Sequence, residues 1–201
     1  MTQKKLESTL INMVLVLTSI SLLSALSLGF AYQQTKGEIE KAQENKKLAA
    51  ISDVVLEGFD NRPDKTVQEI ADDSGVALTI YTAEKNGITT SYAVRSYSKK
   101  AFGGEMWLMV GFTADGKINK ISVLDQKETP GLGTKVDEAS FKNQFFGKNP
   151  ASFNLKVKKD GGDIDAITAA TISSRAYSDA VERAYSVLQK VMSKTNQEGN
   201  L

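Results

Sequence analysis

The run Leu10–Ala31, LINMVLVLTSISLLSALSLGFA, constrains this chain more than any other stretch. It carries no charge and no proline. A helix of that length just spans a hydrocarbon core about 30 Å thick. Cleaved signal peptides have shorter apolar regions, about 7–15 residues, so the run reads as an uncleaved membrane anchor. Ser21, Ala25 and Gly29 repeat at four-residue spacing along it. Such a face either packs closely on another membrane helix or scatters small residues toward lipid. Lys4 and Lys5 precede the run, and a short basic tail favours the cytoplasmic side. The remainder of the chain is then expected outside the cytoplasm.

The remainder has the composition of a water-exposed domain. The chain has 201 residues, with Lys+Arg 25 and Asp+Glu 24 and a formal net charge of +1, which gives no footing for nucleic acid. Cysteine and histidine are both absent. That excludes disulfides, thiol nucleophiles, histidine-based triads and most zinc sites. Metal ligation and acid–base catalysis are not expected. Any chemistry is expected to reside in a cofactor.

The order of elements predicts a single α+β domain. Residues 36–57 lack proline, precede Gly58 and read as a helical stalk. Ile51, Val54 and Val55 suggest that its end docks on the domain. Val76–Thr82 and Thr89–Tyr97 flank Asn86-Gly87, a hairpin signal with a connection longer than two residues. Glu105–Thr113 and Lys117–Leu124 flank Asp115-Gly116, a second hairpin. Asp137–Phe146 reads as a short helix stopped by Gly147, and Phe153–Lys158 as a further strand before the turn Asp160-Gly161-Gly162. Ser174–Met192 is a helix with one apolar stripe through Tyr177, Val181, Ala184, Tyr185, Leu188, Val191 and Met192. The organisation expected is a cytoplasmic tail over 1–9, a transmembrane helix over 10–31, a stalk over 32–60, a domain of antiparallel hairpins packed with helices over 61–194, and a frayed tail over 195–201.

Two stretches carry more than structure requires. KETPGLG, Lys127–Gly133, sets proline and two glycines in a tight turn. On spacing alone it reads as a strand-to-helix loop, although Gly131 and Gly133 let backbone approach a ligand. DAITAATISS, Asp165–Ser174, crowds Thr168, Thr171, Ser173 and Ser174 around Ala169-Ala170 at the mouth of a helix. A helix N-terminus offers free N–H groups and a positive dipole end, a place for a phosphate-bearing ligand, and Arg175 either adds a nearby charge or is simply solvated.

The two stretches together resemble the covalent FMN-binding domain family. D-x-x-T-A-A-T at Asp165–Thr171 resembles the D-x-x-S/T-G-A-T signal of proteins that hold FMN by its phosphate on the last threonine. KETPGLG resembles the second signature, and Gly103-Gly104 before a strand and the single anchor agree. The family includes the G subunit of the Rnf electron-transport complex and the C subunit of the sodium-pumping NADH:quinone reductase. The latter is typically longer, so the Rnf-type role is the one expected. A flavin-free membrane-tethered binding module is a third reading. The resemblance implies an FMN phosphoester on Thr171, made by a separate flavin transferase that reads Asp165 and Thr168. It implies further cofactor contacts from Ala169, Ala170, Glu128, Thr129, Gly131, Leu132 and Gly133, with Trp107 or Leu132 as an apolar wall. It also implies electron relay in an ion-translocating ferredoxin:NAD oxidoreductase with other membrane and redox subunits as partners. Ala169 departs from the pattern where the family has glycine: a positive φ there would strain alanine, whereas a glycine present only for clearance would leave room for one methyl.

Overall fold

The apolar run does form a helix. The computed structural model describes residues 9–198, and α1 spans Leu10–Val54. The expected cytoplasmic tail lies outside the described residues except for Thr9. The chain divides between Asn45 and Lys46 into two units. In the first, the most apolar window of α1 has a mean hydropathy of 2.1 and none of it is buried. A helix of this length and composition, with Leu and Ile exposed all round, is suited to lipid rather than water.

The second unit is built on a five-stranded antiparallel meander. Its strands are β1 Val67–Ala71, β2 Ala77–Lys85, β3 Ile88–Ala101, β4 Gly104–Thr113 and β5 Ile118–Asp125, in spatial order β1-β2-β3-β4-β5. Beyond the sheet come a 3-10 turn Gly133–Asp137, the short helix α2 Ala139–Lys142, and α3 Thr171–Glu198. The α+β expectation holds. Residues 46–60, expected in the stalk, belong to this unit.

Both faces of the sheet are covered, which explains why β4, GEMWLMVGFT, reads as a nearly continuous apolar run. On one face, α3 packs Tyr177, Val181, Ala184 and Leu188 against Val94, Leu108, Val110 and Phe112. On the other, Ile51, Val54 and Val55 pack against Tyr81, Ala83, Ala93 and Met109, as expected of the docked end of α1. A Cβ at Gly111 would overlap the Val54 carbonyl, so glycine alone lets α1 approach that closely. Asn119 Nδ2 donates to the same carbonyl at 2.8 Å. Those contacts end α1 at Val54, ahead of the cap expected at Gly58.

Further expectations are corrected. The β2–β3 connection is a two-residue turn: Lys85 pairs with Ile88, and both Asn86 (φ 53) and Gly87 (φ 75) take the positive φ of a type I′ hairpin. A register shift at Ala83/Glu84 takes up the odd residue. Strand β1 was not anticipated, because most of VQEIA is exposed on an edge and shows no clean alternation. Phe153–Lys158 is not a strand. Leu155 and Val157 alternate because they plug the core, at 3% and 1% exposure, while the backbone bonds locally, Lys158 N–H to Ile164 C=O at 2.8 Å and Ile164 N–H to Lys156 C=O at 3.1 Å. The helix expected over Asp137–Phe146 is reduced to α2, with Gly147 (φ 71) ending the segment. The final helix opens three residues before Ser174, at Thr171, and is described through Glu198; the last residues of the expected tail lie outside the described residues.

Candidate functional site

Two turns of the same kind deliver the two motifs to one place. In KETPGLG, Leu132 N–H donates to Thr129 C=O at 3.1 Å across Pro130-Gly131. Proline presets the first central residue and Gly131 supplies φ 75 at the second, the pattern of a type II turn. In DAITAAT, Ala170 N–H donates to Ile167 C=O at 3.0 Å across Thr168-Ala169. Here the positive φ, 63, falls on alanine. The anticipated conflict at Ala169 is therefore real, and a left-handed alanine costs about 1–2 kcal/mol.

The segments meet around a cavity of about 370 Å³. Phe102 of the β3–β4 turn lines one side, Glu128, Thr129, Leu132 and Gly133 a second, and Ala169 through Ser173 a third. Phe102, Leu132 and Ile172 are 69%, 43% and 48% exposed. Three large apolar side chains from three separate elements thus stand in water at one mouth, an arrangement suited to a flat apolar ligand.

The cavity floor is the start of α3. The first bond of the helix runs from Ser174 N–H to Ala170 C=O at 3.0 Å. The N–H groups of Thr171, Ile172 and Ser173 precede it, and Ala170 has no side-chain acceptor to cap them. Donors and dipole together favour an anion there.

The crowd of hydroxyls sorts itself. Ser174 is fully buried; its Oγ accepts from Ile167 N–H at 3.0 Å and donates to Ala170 C=O at 3.0 Å. It is a staple for the turn. Ser173 is 2% exposed and its Oγ donates to Glu128 Oε2. Thr171 is half-buried, lines the cavity and has no hydrogen-bond partner among the described residues. Thr168 is exposed and lines a different cavity, with Asp165, Gln144 and Lys135, on the other side of the turn. Among the described residues, Thr129 and Thr171 both line this cavity with hydroxyls that have no partner, and of the two only Thr171 stands at the mouth of α3.

Glu128 ties the three walls together. It is 6% exposed, and its Oε1 accepts Gly103 N–H at 2.9 Å while Oε2 takes the Ser173 hydroxyl. Gln126 Oε1 accepts its backbone N–H at 2.6 Å. The glycines beside it are there for clearance: a Cβ on Gly133 would overlap Glu128 and Ser173, and one on Gly103 would overlap the Lys127 carbonyl.

Other expected residues lie apart from the cavity. Trp107 lines no part of it; the indole stacks on Tyr97 with centroids 4.9 Å apart, and the Arg95 guanidinium sits 4.4 Å from its ring centroid. Gly131 shapes the turn without lining the cavity. Asp165 is exposed, with Lys158 Nζ at 2.7 Å and Gln144 bonded to its backbone. Arg175 is engaged by Asp160 through two 2.7 Å bonds, so its charge is neutralised rather than free for a ligand. The Arg175 guanidinium correspondingly holds the Asp160 carboxyl below its usual value. Sequence reasoning missed Phe102 and Ile172. The signal for Phe102 was an aromatic beside Gly103-Gly104, where turn chemistry alone asks for polar residues.

The residues present fit FMN: among the described residues, three helix amides and the Thr171 hydroxyl have no partner and suit its phosphate, and the apolar mouth suits its ring. The FMN-binding domain family matches residues 101–186, which contain both turns. The chain is also similar to the G subunit of the Na(+)-translocating ferredoxin:NAD(+) oxidoreductase complex of Acetobacterium woodii, 31% identical over 188 residues, covering 88% of this chain and 90% of that one. The G subunit of the ion-translocating oxidoreductase complex of Aliivibrio fischeri is 32% identical over 180 residues, 85% of this chain and 86% of that one. The crystal structure of Shewanella oneidensis NqrC aligns at a TM-score of 0.43 and 20% identity, over 61% of this chain and 62% of that one.

Proposed function

This chain belongs to the G-subunit family of ion-translocating oxidoreductase complexes, and from that membership we propose that it relays electrons through FMN carried at the mouth of α3. The observation that carries the reading is the free hydroxyl of Thr171, set at three unbonded helix amides in a cavity that the KETPGLG turn completes. FMN supplies the capacity to take up and pass on one or two electrons. Every other task falls to the chain.

The amides of Thr171, Ile172 and Ser173 would hold the phosphate, and Thr171 Oγ1 would carry it as a phosphoester, formed with the net loss of one water. Phe102, Leu132 and Ile172 would pack on the ring and limit its contact with water. Asp165 and Thr168, facing outward across the turn, are the part of the motif available to a flavin transferase. A bonded cofactor cannot be lost by dilution, an advantage for a domain held outside the cytoplasm by a single anchor. The working partners are the other membrane and redox subunits of an Rnf-type ferredoxin:NAD oxidoreductase, and the isolated chain is expected to show little turnover. The G-subunit relatives favour this role over the C subunit of a quinone reductase.

Intact mass of the protein from its native host tests the assignment. The expected result is the full chain plus one FMN less one water, with the addition gone in Thr171→Ala. A wild-type mass without it defeats the covalent reading. Retention of the addition in Thr171→Ala moves the bond to another residue.

A further inference from the structure

We infer that Glu128 is a fixed negative charge in the flavin cavity and that it lowers the reduction potential of the cofactor bound there; the inference rests on FMN occupying the cavity as proposed above. Among the residues lining the cavity, Glu128 alone has a titratable side chain. Its burial is extensive, at 6% exposure, and among the described residues it has no ion-pair partner. The buried Asp72 and the partly buried Asp179 are treated differently. Asp72 has Arg183 Nη1 at 2.6 Å, and Asp179 has Arg183 Nε at 3.1 Å and Lys100 Nζ at 2.5 Å.

A buried carboxylate without a countercation is disfavoured, even when hydrogen-bonded. Its hydrogen bonds do not require the charge. A glutamine would accept Gly103 N–H through its oxygen and donate to Ser173 Oγ, which can act as donor or acceptor. What glutamine cannot reproduce is the charge itself. The charge is also held in place, since its two bonds reach two separate elements and Gln126 holds its backbone. The positive end of α3 offsets part of its cost. A ring packed on Phe102, Leu132 and Ile172 lies within the width of the same cavity from this carboxylate. Electrons added to that ring are repelled through a partly dry interior, where charges act more strongly than in water.

Glu128 is therefore a tuning residue, and its test must separate charge from scaffolding. The full chain, loaded in its host and purified in detergent, is titrated at equilibrium against redox dyes. Dithionite supplies the two electrons and bulk water the protons of that reduction. Glu128→Gln keeps the hydrogen bonds and removes the charge, and its midpoint potential is expected above wild type, with one FMN per chain by mass and a melting temperature at or above wild type. Glu128→Asp keeps the charge and is expected close to wild type. Thr129→Lys, at an exposed position of the same wall, places a cation beside the carboxylate and is expected to raise the midpoint too. It also serves if Glu128→Gln loads poorly. Midpoints of Glu128→Gln and Thr129→Lys equal to or below wild type overturn the inference. A wild-type chain that carries no flavin overturns the FMN reading itself, and this inference with it.

Discussion

The amide of Ala170 donates to the carbonyl of Ile167 at 3.0 Å, and this one bond closes the turn that presents Thr171 at the mouth of α3. Between the two residues, Ala169 stands at φ 63, a conformation that suits glycine. Ala169→Gly removes about 1–2 kcal/mol of left-handed strain. It also loosens the unfolded chain, at a cost of about 0.4–1 kcal/mol. Relief outweighs loosening, so the variant is expected to be more stable by about 0.5–1 kcal/mol. Urea titration of the detergent-solubilised protein measures it, and a loss of stability would show that the turn tolerates alanine without strain.

The two glycines of KETPGLG should respond differently to a methyl group. Gly131 has φ 75 and open space around it, so Gly131→Ala costs about 1–2 kcal/mol of backbone strain and leaves the cavity intact. Gly133 has no such strain, but a methyl there drives Glu128 and Ser173 apart, at about 1–3 kcal/mol for overpacking. The expected difference lies in flavin content: Gly133→Ala loses flavin per protein by absorbance, and Gly131→Ala keeps it. Equal loss in both would mean that the Glu128–Ser173 link does not shape the cavity.

The contrast between these glycines marks what the sequence could reveal. Motif spacing pointed to both turns and the helix mouth, because turn residues and caps are local chemistry, while the resemblance to the FMN-binding family singled out Thr171. Of the residues missed, Phe102 acts at long range. Phe102 gains its meaning only when the sheet brings the β3–β4 turn beside KETPGLG. Trp107, the more obvious aromatic, is engaged by Tyr97 and Arg95 instead. Phe153–Lys158 shows the same limit in the fold. Its alternation reflects two side chains plugging the core, and period two does not distinguish that from pairing in a sheet. Edge strand β1 carries too little burial to leave a pattern at all.

Acid should loosen α3 from the sheet edge. Arg183 bridges Asp72 and Asp179, and the side chain of Asp72 is 1% exposed. Burial raises the Asp72 carboxyl, but hydrogen bonds from Ser74, Val76 and Arg183 outweigh it and the net is lowered. Asp179 is lowered in the same way, burial being outweighed by Lys100, Ser98 and Arg183. Lowered carboxylates contribute stability that is present above their ordinary value of 3.8 and lost as pH falls through their folded values. The urea midpoint is expected to hold steady down to about pH 5 and to fall below about pH 4. Arg183→Met leaves Asp72 buried without its cation and should cost about 3 kcal/mol near neutral pH, with a shallower acid limb. An acid limb identical to wild type would assign acid sensitivity to other carboxylates.

Phe102 offers the cleanest separation of stability from cofactor contact. At 69% exposure it contributes little to packing, so Phe102→Ser is expected to change stability by no more than about 0.5 kcal/mol. Its place at the cavity mouth predicts a larger effect on the flavin. Removing one of three apolar side chains opens a side of the ring to water, and iodide should then quench flavin fluorescence more strongly than in wild type. Leu132→Ser, at 43% exposure on the opposite loop, should act in the same direction, and the double variant should exceed either alone. A substitution at Ile88, 71% exposed and outside the cavity lining, controls for the loss of any surface hydrophobe and should leave quenching unchanged. If Phe102→Ser quenches no more than Ile88→Ser, the ring does not pack at this mouth and the apolar cluster serves another contact.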